Sequence, residues 1–223
     1  MSVALTRGQA AYGLRGERAR AAGRDYGELA AKVLILALFS LMATSIAQDV
    51  AQTGHVTGLL LLASEALVVA LTLVRRTAGV VDRSWKARTL TMFSTFGPPL
   101  LRPASADAVA PEALTIAISA IGLFIVVLGK LSLGRSFGLS PANRGVVSTG
   151  LYRIVRHPIY LGYLITHIGF VVANPADWNL AVLAAADVAL MFRAICEERT
   201  LALDDQYRVY MGRVRWRIIP GIF

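Results

Sequence analysis

The chain has 223 residues, of which 56% are hydrophobic, with a mean hydropathy of +0.58, a formal net charge of +9 and a pI near 10.3. A water-soluble domain of this size needs more polar surface, so the composition excludes an ordinary soluble fold and makes lipid the solvent. The charge argues against a nucleic-acid partner, because all but Arg102 of the 23 Lys and Arg lie in four groups between apolar runs (residues 7–32, 75–88, 130–156 and 193–217), as the positive-inside rule requires.

In chain order, residues 1–30 mix Arg, Gly and Ala and read as a basic arm or interfacial helix against anionic headgroups. The first apolar run begins near Val33, without the short charged start of a signal peptide, which predicts an uncleaved, cytoplasmic N-terminus. Spans are expected over residues 31–47 and 56–74, joined outside by a connection holding Asp49 and His55 but no Lys or Arg. Arg75, Arg76, Arg83, Lys86 and Arg88 return the chain inside. Residues 90–101 then form a short run broken by Gly97-Pro98-Pro99, read as a kinked or re-entrant segment. Pro111 suits a helix start, and residues 113–133 make a span whose Ser119, Gly122 and Gly129 form a stripe for close helix contact. Residues 134–157 are a polar, cationic loop with a turn at Ser140-Pro141-Ala142-Asn143, long enough to fold over a ligand. Residues 158–172 and 180–195 form a hairpin reversed by Asn174-Pro175-Ala176-Asp177, and a helix continues past Arg193 toward Pro220-Gly221. The expected fold is all-α, a polytopic bundle of about five to six transmembrane helices, in three regions: 1–30, 31–127 and 128–223. Both termini are then cytoplasmic, at the plasma membrane in a bacterium. The lone Cys196 excludes an internal disulfide and a Cys-rich metal cluster, and no metal site is expected.

The string Gly150-Leu151-Tyr152-Arg153-Ile154-Val155-Arg156-His157-Pro158-Ile159-Tyr160-Leu161-Gly162 carries the densest chemistry, setting cations, an imidazole and aromatics at a membrane surface. Proline after His157 fixes a helix start whose first-turn N–H groups favour an anion. The hairpin returns Cys196-Glu197-Glu198-Arg199 to the same surface, where a carboxylate suits an ammonium group, ribose hydroxyls or a proton, or else pairs with Arg193, Arg199 or Arg208. Tyr207 and Tyr210 are either interface aromatics or a cover for an adenine ring. Glu65, His167 and Asp187 fall within spans, where ionisable groups line a channel or bond neighbouring helices.

Together with Ser132-Leu133-Gly134-Arg135-Ser136-Phe137, Leu201 and the closing Pro220, these residues make the segment 128–223 resemble the isoprenylcysteine carboxyl methyltransferase and phospholipid methyltransferase superfamily of integral-membrane enzymes. The resemblance implies a helical bundle with a cytosol-facing S-adenosyl-L-methionine pocket, no Rossmann domain, and a lipid-like or other apolar acceptor reaching it from the bilayer. It implies cofactor contacts from Gly150, Leu151, Tyr152, His157, Pro158, Tyr160, Gly162, Glu197, Glu198, Tyr207 and Tyr210. Arg156 is then expected near the transferring methyl, with Glu198 or His157 as the base for an amine or hydroxyl acceptor. The acceptor stays open between an isoprenylcysteine-type carboxylate, a lipid amine, a thiol and an alcohol, and oligomeric state is not indicated. Two other readings remain. An NADPH-dependent sterol-type reductase is disfavoured by Pro158 and by Tyr163 after Gly162. A transporter would need symmetrical broken helices around a midplane site.

Overall fold

The computed structural model describes residues 26–74, 80–81, 84–103, 108–133, 142–143 and 145–223. Among them are seven helices: α1 (Tyr26–Thr53), α2 (Thr57–Val74), α3 (Trp85–Phe96), α4 (Glu112–Leu133), α5 (Pro158–Ala173), α6 (Asp177–Leu201) and α7 (Asp205–Arg213). The class is all-α, with a two-residue antiparallel pair of β1 (Val80–Val81) with β2 (Ala142–Asn143) among the described residues. The chain divides into two compact units, Met1–Leu36 and Ala37–Phe223, and the second holds every element from α2 onward. The basic arm up to residue 25, the cations Arg75, Arg76 and Arg83, and residues 134–141 of the long loop lie outside the described residues.

Of the helices, α4 and α6 are long and apolar enough to cross a membrane, whereas α5 and the Thr57–Leu67 part of α2 are shorter apolar helices. Ile121 and Phe124 on α4 and Val188 and Phe192 on α6 are each more than half exposed, as lipid-facing side chains must be. The double proline ends α3 after twelve residues, in a 3-10 turn at Pro98–Leu100. At about 1.5 Å per residue, α3 reaches about 18 Å and does not by itself cross the roughly 30 Å of hydrocarbon.

Polar side chains at helix ends fix the arrangement. Glu112 Oε1 accepts from Val56 N at 2.6 Å and Thr57 Oγ1 meets Thr115 Oγ1 at 3.0 Å, pinning the start of α2 to that of α4. Asn179 brackets the backbone of Arg102, accepting from its N–H at 3.1 Å and donating to its carbonyl at 2.7 Å, so the start of α6 holds the segment after α3. The main helix pairs are α4 with α5 and α3 with α6, and the α5–α6 hairpin itself is splayed.

Glycine makes the α4–α5 pair. A Cβ built on Gly162 would lie 2.6 Å from Val126 Cγ2 and 2.7 Å from the Gly122 carbonyl, and one on Gly129 would lie 2.8 Å from Ile159 Cγ1. Because backbone stands opposite Gly162, a side chain there forces the helices apart rather than finding a new rotamer. Gly162→Ala is therefore expected to cost about 1–3 kcal/mol, seen as a lower thermal midpoint of the solubilised protein. A midpoint equal to that of the parent refutes this packing.

Candidate active site

The segment before α5 reaches the interior because another strand of chain holds it. Val155 forms a parallel bridge with Trp216, Arg156 N donates to the Trp216 carbonyl at 2.9 Å, and His157 N donates to the Arg217 carbonyl at 2.7 Å. Pro158 then opens α5 at its first turn, where a missing N–H costs nothing. Arg156 and His157 are thus buried beside the end of α6.

There they meet Glu198, which is 3% exposed. Arg156 Nε donates to Glu198 Oε1 at 2.6 Å, its Nη2 to Oε2 at 3.2 Å, and its Nη1 to the Val214 carbonyl at 3.1 Å. Arg217 Nε donates to the same Oε2 at 2.7 Å. One carboxylate therefore holds two guanidinium groups and joins α5, α6 and the chain after α7. The Arg156 fork, which the resemblance implies near the transferring methyl, is occupied by Glu198. His157 Nε2 lies 3.3 Å from Glu198 Oε1 without hydrogen-bond alignment, and completes no hydrogen bond among the described residues.

One turn further along α5, the Tyr160 ring stacks on His157 with centroids 5.1 Å apart and planes 10° from parallel. The Tyr160 hydroxyl donates to Glu197 Oε2 at 2.7 Å, so the adjacent glutamates divide their work: Glu198 binds cations behind the wall and Glu197 faces the tyrosine. Arg193, one turn before Glu197 on α6, lies over the Tyr160 ring at 5.4 Å and donates from Nη1 to Ser94 Oγ on α3 at 3.2 Å. It is 5% exposed, its Nε has no partner, and it has no carboxylate partner among the described residues.

A third group lies on α7. Tyr207 and Tyr210 on α7 lie 5.5 Å apart with rings tilted by 55°, and the Tyr210 hydroxyl donates to the Tyr152 carbonyl at 2.7 Å. Burial pushes the phenols of Tyr152, Tyr207 and Tyr210 above the ordinary tyrosine value, with Glu198 and Glu197 adding to the effect at Tyr207. All three stay protonated at neutral pH and keep a hydroxyl hydrogen to donate.

The splayed hairpin leaves a continuous cleft enclosing about 1120 Å³, including its open mouth. Tyr152, Tyr207, Tyr210, Val146 and Val147 line the mouth; Arg156, His157, Tyr160, Arg193 and Glu197 line the middle; Glu65, His167 and Asp187 line the inner end. Its wall thus includes Tyr152, Arg156, His157, Tyr160, Glu197, Tyr207 and Tyr210 of the residues marked in the sequence. The remaining five stand back. Glu198 lies behind the wall, Gly162 sits in the α4–α5 contact, and Gly150, Leu151 and Pro158 shape the turn. At Gly150 φ is +59°, and a Cβ would come within 2.6 Å of Ser132 Oγ, so glycine there keeps the turn against α4.

Arg193 is the wall residue to which sequence reasoning gave no chemistry. Its four-residue spacing from Glu197 puts both on one helix face, which was the available signal, but the same spacing suits an ordinary surface ion pair. No group of three or more His, Cys, Asp or Glu able to hold a metal occurs among the described residues.

The model of the phospholipid methyltransferase family matches residues 112–207, from the first residue of α4 to Tyr207 on α7. Among curated proteins none matches the chain. The matched stretch holds both helices able to cross a membrane and most of the cleft wall, and over it the chain is similar to the phospholipid methyltransferase family.

Proposed function

We propose that the protein is an S-adenosylmethionine-dependent methyltransferase that acts, within the membrane, on a lipophilic acceptor carrying an anionic group, either an isoprenylcysteine-type carboxylate or a lipid amine with its phosphate. The observation that carries this reading is a single cleft with an aromatic mouth and, further in, the Glu197 carboxylate and the buried Arg193 guanidinium, which has no carboxylate partner among the described residues. The residues fit the donor. Tyr207 and Tyr210 offer faces for a purine, Glu197 offers a carboxylate for an ammonium group or ribose hydroxyls, and His157 Nε2 is a buried polar atom that lies 3.3 Å from Glu198 Oε1 and completes no hydrogen bond among the described residues. When bound, S-adenosylmethionine supplies an electrophilic methyl on a sulfonium sulfur.

The chain's own work is positioning and exclusion of water. Arg193 would anchor the acceptor's anion, since a buried guanidinium that faces the cleft and pairs with no carboxylate among the described residues is best compensated by one from the ligand. Arg156, Glu198 and Arg217 would hold His157 and Glu197 in place as positioning residues. A carboxylate acceptor is already ionised and needs no base. For a protic acceptor the proton would pass to His157 Nε2, because Glu198 has both oxygens engaged. The two candidate spans and the exposed apolar faces of α4 and α6 support placement in the bilayer, from which a lipid-tailed acceptor would reach the cleft laterally. A multi-pass arrangement with cytoplasmic termini follows from the charge pattern.

Calorimetry and thermal stability with S-adenosylmethionine, S-adenosylhomocysteine and NADPH test the reading. The adenosyl ligands are expected to bind and to stabilise by about 2.7 kcal/mol at one hundred times Kd. NADPH is expected to do neither, and His157→Ala to weaken adenosyl binding about tenfold. Preferential NADPH binding would instead make the protein a reductase, and binding of none of the three would remove the enzymatic reading.

A further inference from the structure

We infer that the inner end of the cleft is a second recognition site, in which His167 accepts a hydrogen bond from a hydroxyl on the body of the acceptor, about 9 Å from the anion held at Arg193. The inference rests on the methyltransferase reading and adds the substrate's second polar group. His167 is 4% exposed, and its Nδ1 lies 2.7 Å from Asp187 Oδ1, across the α5–α6 hairpin. A carboxylate on Nδ1 fixes the proton there and leaves Nε2 as a lone-pair acceptor. That Nε2 is shut off from water and has no partner among the described residues, although the residue lines the cleft. A purely structural bond between two helices would account for Nδ1 and Asp187, but not for a buried, unmatched acceptor in a cleft wall, which costs free energy until a donor arrives.

The charges around this end select the donor. Glu65 lines the same end, within electrostatic reach of His167 and Lys130, and Lys130 Nζ lies over the Tyr163 ring at 5.2 Å. Glu65 faces Lys130, and Asp187 is bound by His167. Once Arg193 takes the acceptor's anion, a neutral donor completes the site, whereas a second charge would have to be buried alone. The spacing follows from α6, on which Asp187 and Arg193 stand six positions apart, about 9 Å at 1.5 Å per residue. His167 is ten residues along α5 from His157, about 15 Å, too far to share the donor's contacts.

Dodecanoic acid, its mid-chain hydroxy analogues and the matching amino analogues serve as probes, titrated by calorimetry into the full-length protein in lipid nanodiscs, loaded with S-adenosylhomocysteine. One hydroxy analogue is expected to bind about tenfold tighter than the plain acid. His167→Leu should abolish that preference, His167→Gln should restore part of it through its amide oxygen, and S-adenosylhomocysteine affinity should stay the same in both. Equal or absent binding of plain and hydroxy acids overturns the second site, as does a preference for the amino analogues. The wild-type comparison decides this even if His167→Leu fails to fold. Failure of S-adenosylhomocysteine to bind overturns both readings, whereas its binding without a hydroxyl preference overturns only this one.

Discussion

Arg193→Met is expected to leave the thermal midpoint unchanged or raise it, while lowering kcat/KM for an anionic acceptor a hundred- to a thousand-fold, about 3–4 kcal/mol. The two effects oppose each other for one reason. Arg193 is 5% exposed, has an unpartnered Nε and no carboxylate among the described residues, so the ligand-free fold carries the desolvation cost of a charge without its compensation. Methionine keeps the volume beside Tyr160 and removes that cost, losing the Nη1 bond to Ser94 Oγ and the contact with the ring. Activity falls because the acceptor's anion then has nothing to meet. The loss should appear mainly in KM for the acceptor, with S-adenosylhomocysteine affinity within a few-fold of the parent. A variant that is destabilised yet fully active would make Arg193 a structural residue and remove it from the acceptor site.

What the sequence made legible was whatever lies close together along the chain. Hydropathy and breaker residues marked the helices, and the double proline after Gly97 marked the end of α3. The stripe of Ser119, Gly122 and Gly129 marked the face that α4 turns to α5, because a missing side chain is itself a packing signal. His157 and Tyr160 were visible as neighbours one helical turn apart, and the hairpin brought Glu197 and Glu198 to the same end. The partner of each polar group was not legible. Arg156 and Glu198 are separated by 42 positions, and nothing in either residue's neighbours says that the guanidinium fork is taken. The parallel bridge of Val155 to Trp216, which delivers His157 inward, is a two-strand contact too short to leave a periodic pattern. Arg193 was read as a surface partner because burial at a helix end depends on α3 packing beside it, a tertiary fact. His167 and Asp187 were each visible as costly intramembrane groups, but their 2.7 Å contact depends on the register between α5 and α6.

Glu198→Ala is expected to cost about 3 kcal/mol or more in stability and to lower affinity for S-adenosylhomocysteine at least tenfold, although Glu198 does not line the cleft. The reason is what it leaves behind. Both oxygens of this 3%-exposed carboxylate are engaged, by Arg156 Nε at 2.6 Å and by Arg217 Nε at 2.7 Å. Its removal strands the Arg156 guanidinium in the interior with one carbonyl partner, while Arg217, about a third exposed, recovers part of its loss in water. The backbone bonds from Arg156 and His157 to Trp216 and Arg217 then lose the side-chain clasp behind them, so His157 and Tyr160 drift from the wall they share with Glu197. Glu198→Gln keeps the shape but offers one oxygen to two cations and is expected to fall between Ala and the parent. The measurement is a thermal midpoint together with a calorimetric Kd for each variant. Because a helix end that merely loosened would lower the midpoint alone, a Kd that stays at the parent value in folded Glu198→Ala would show that Glu198 does not position the donor site.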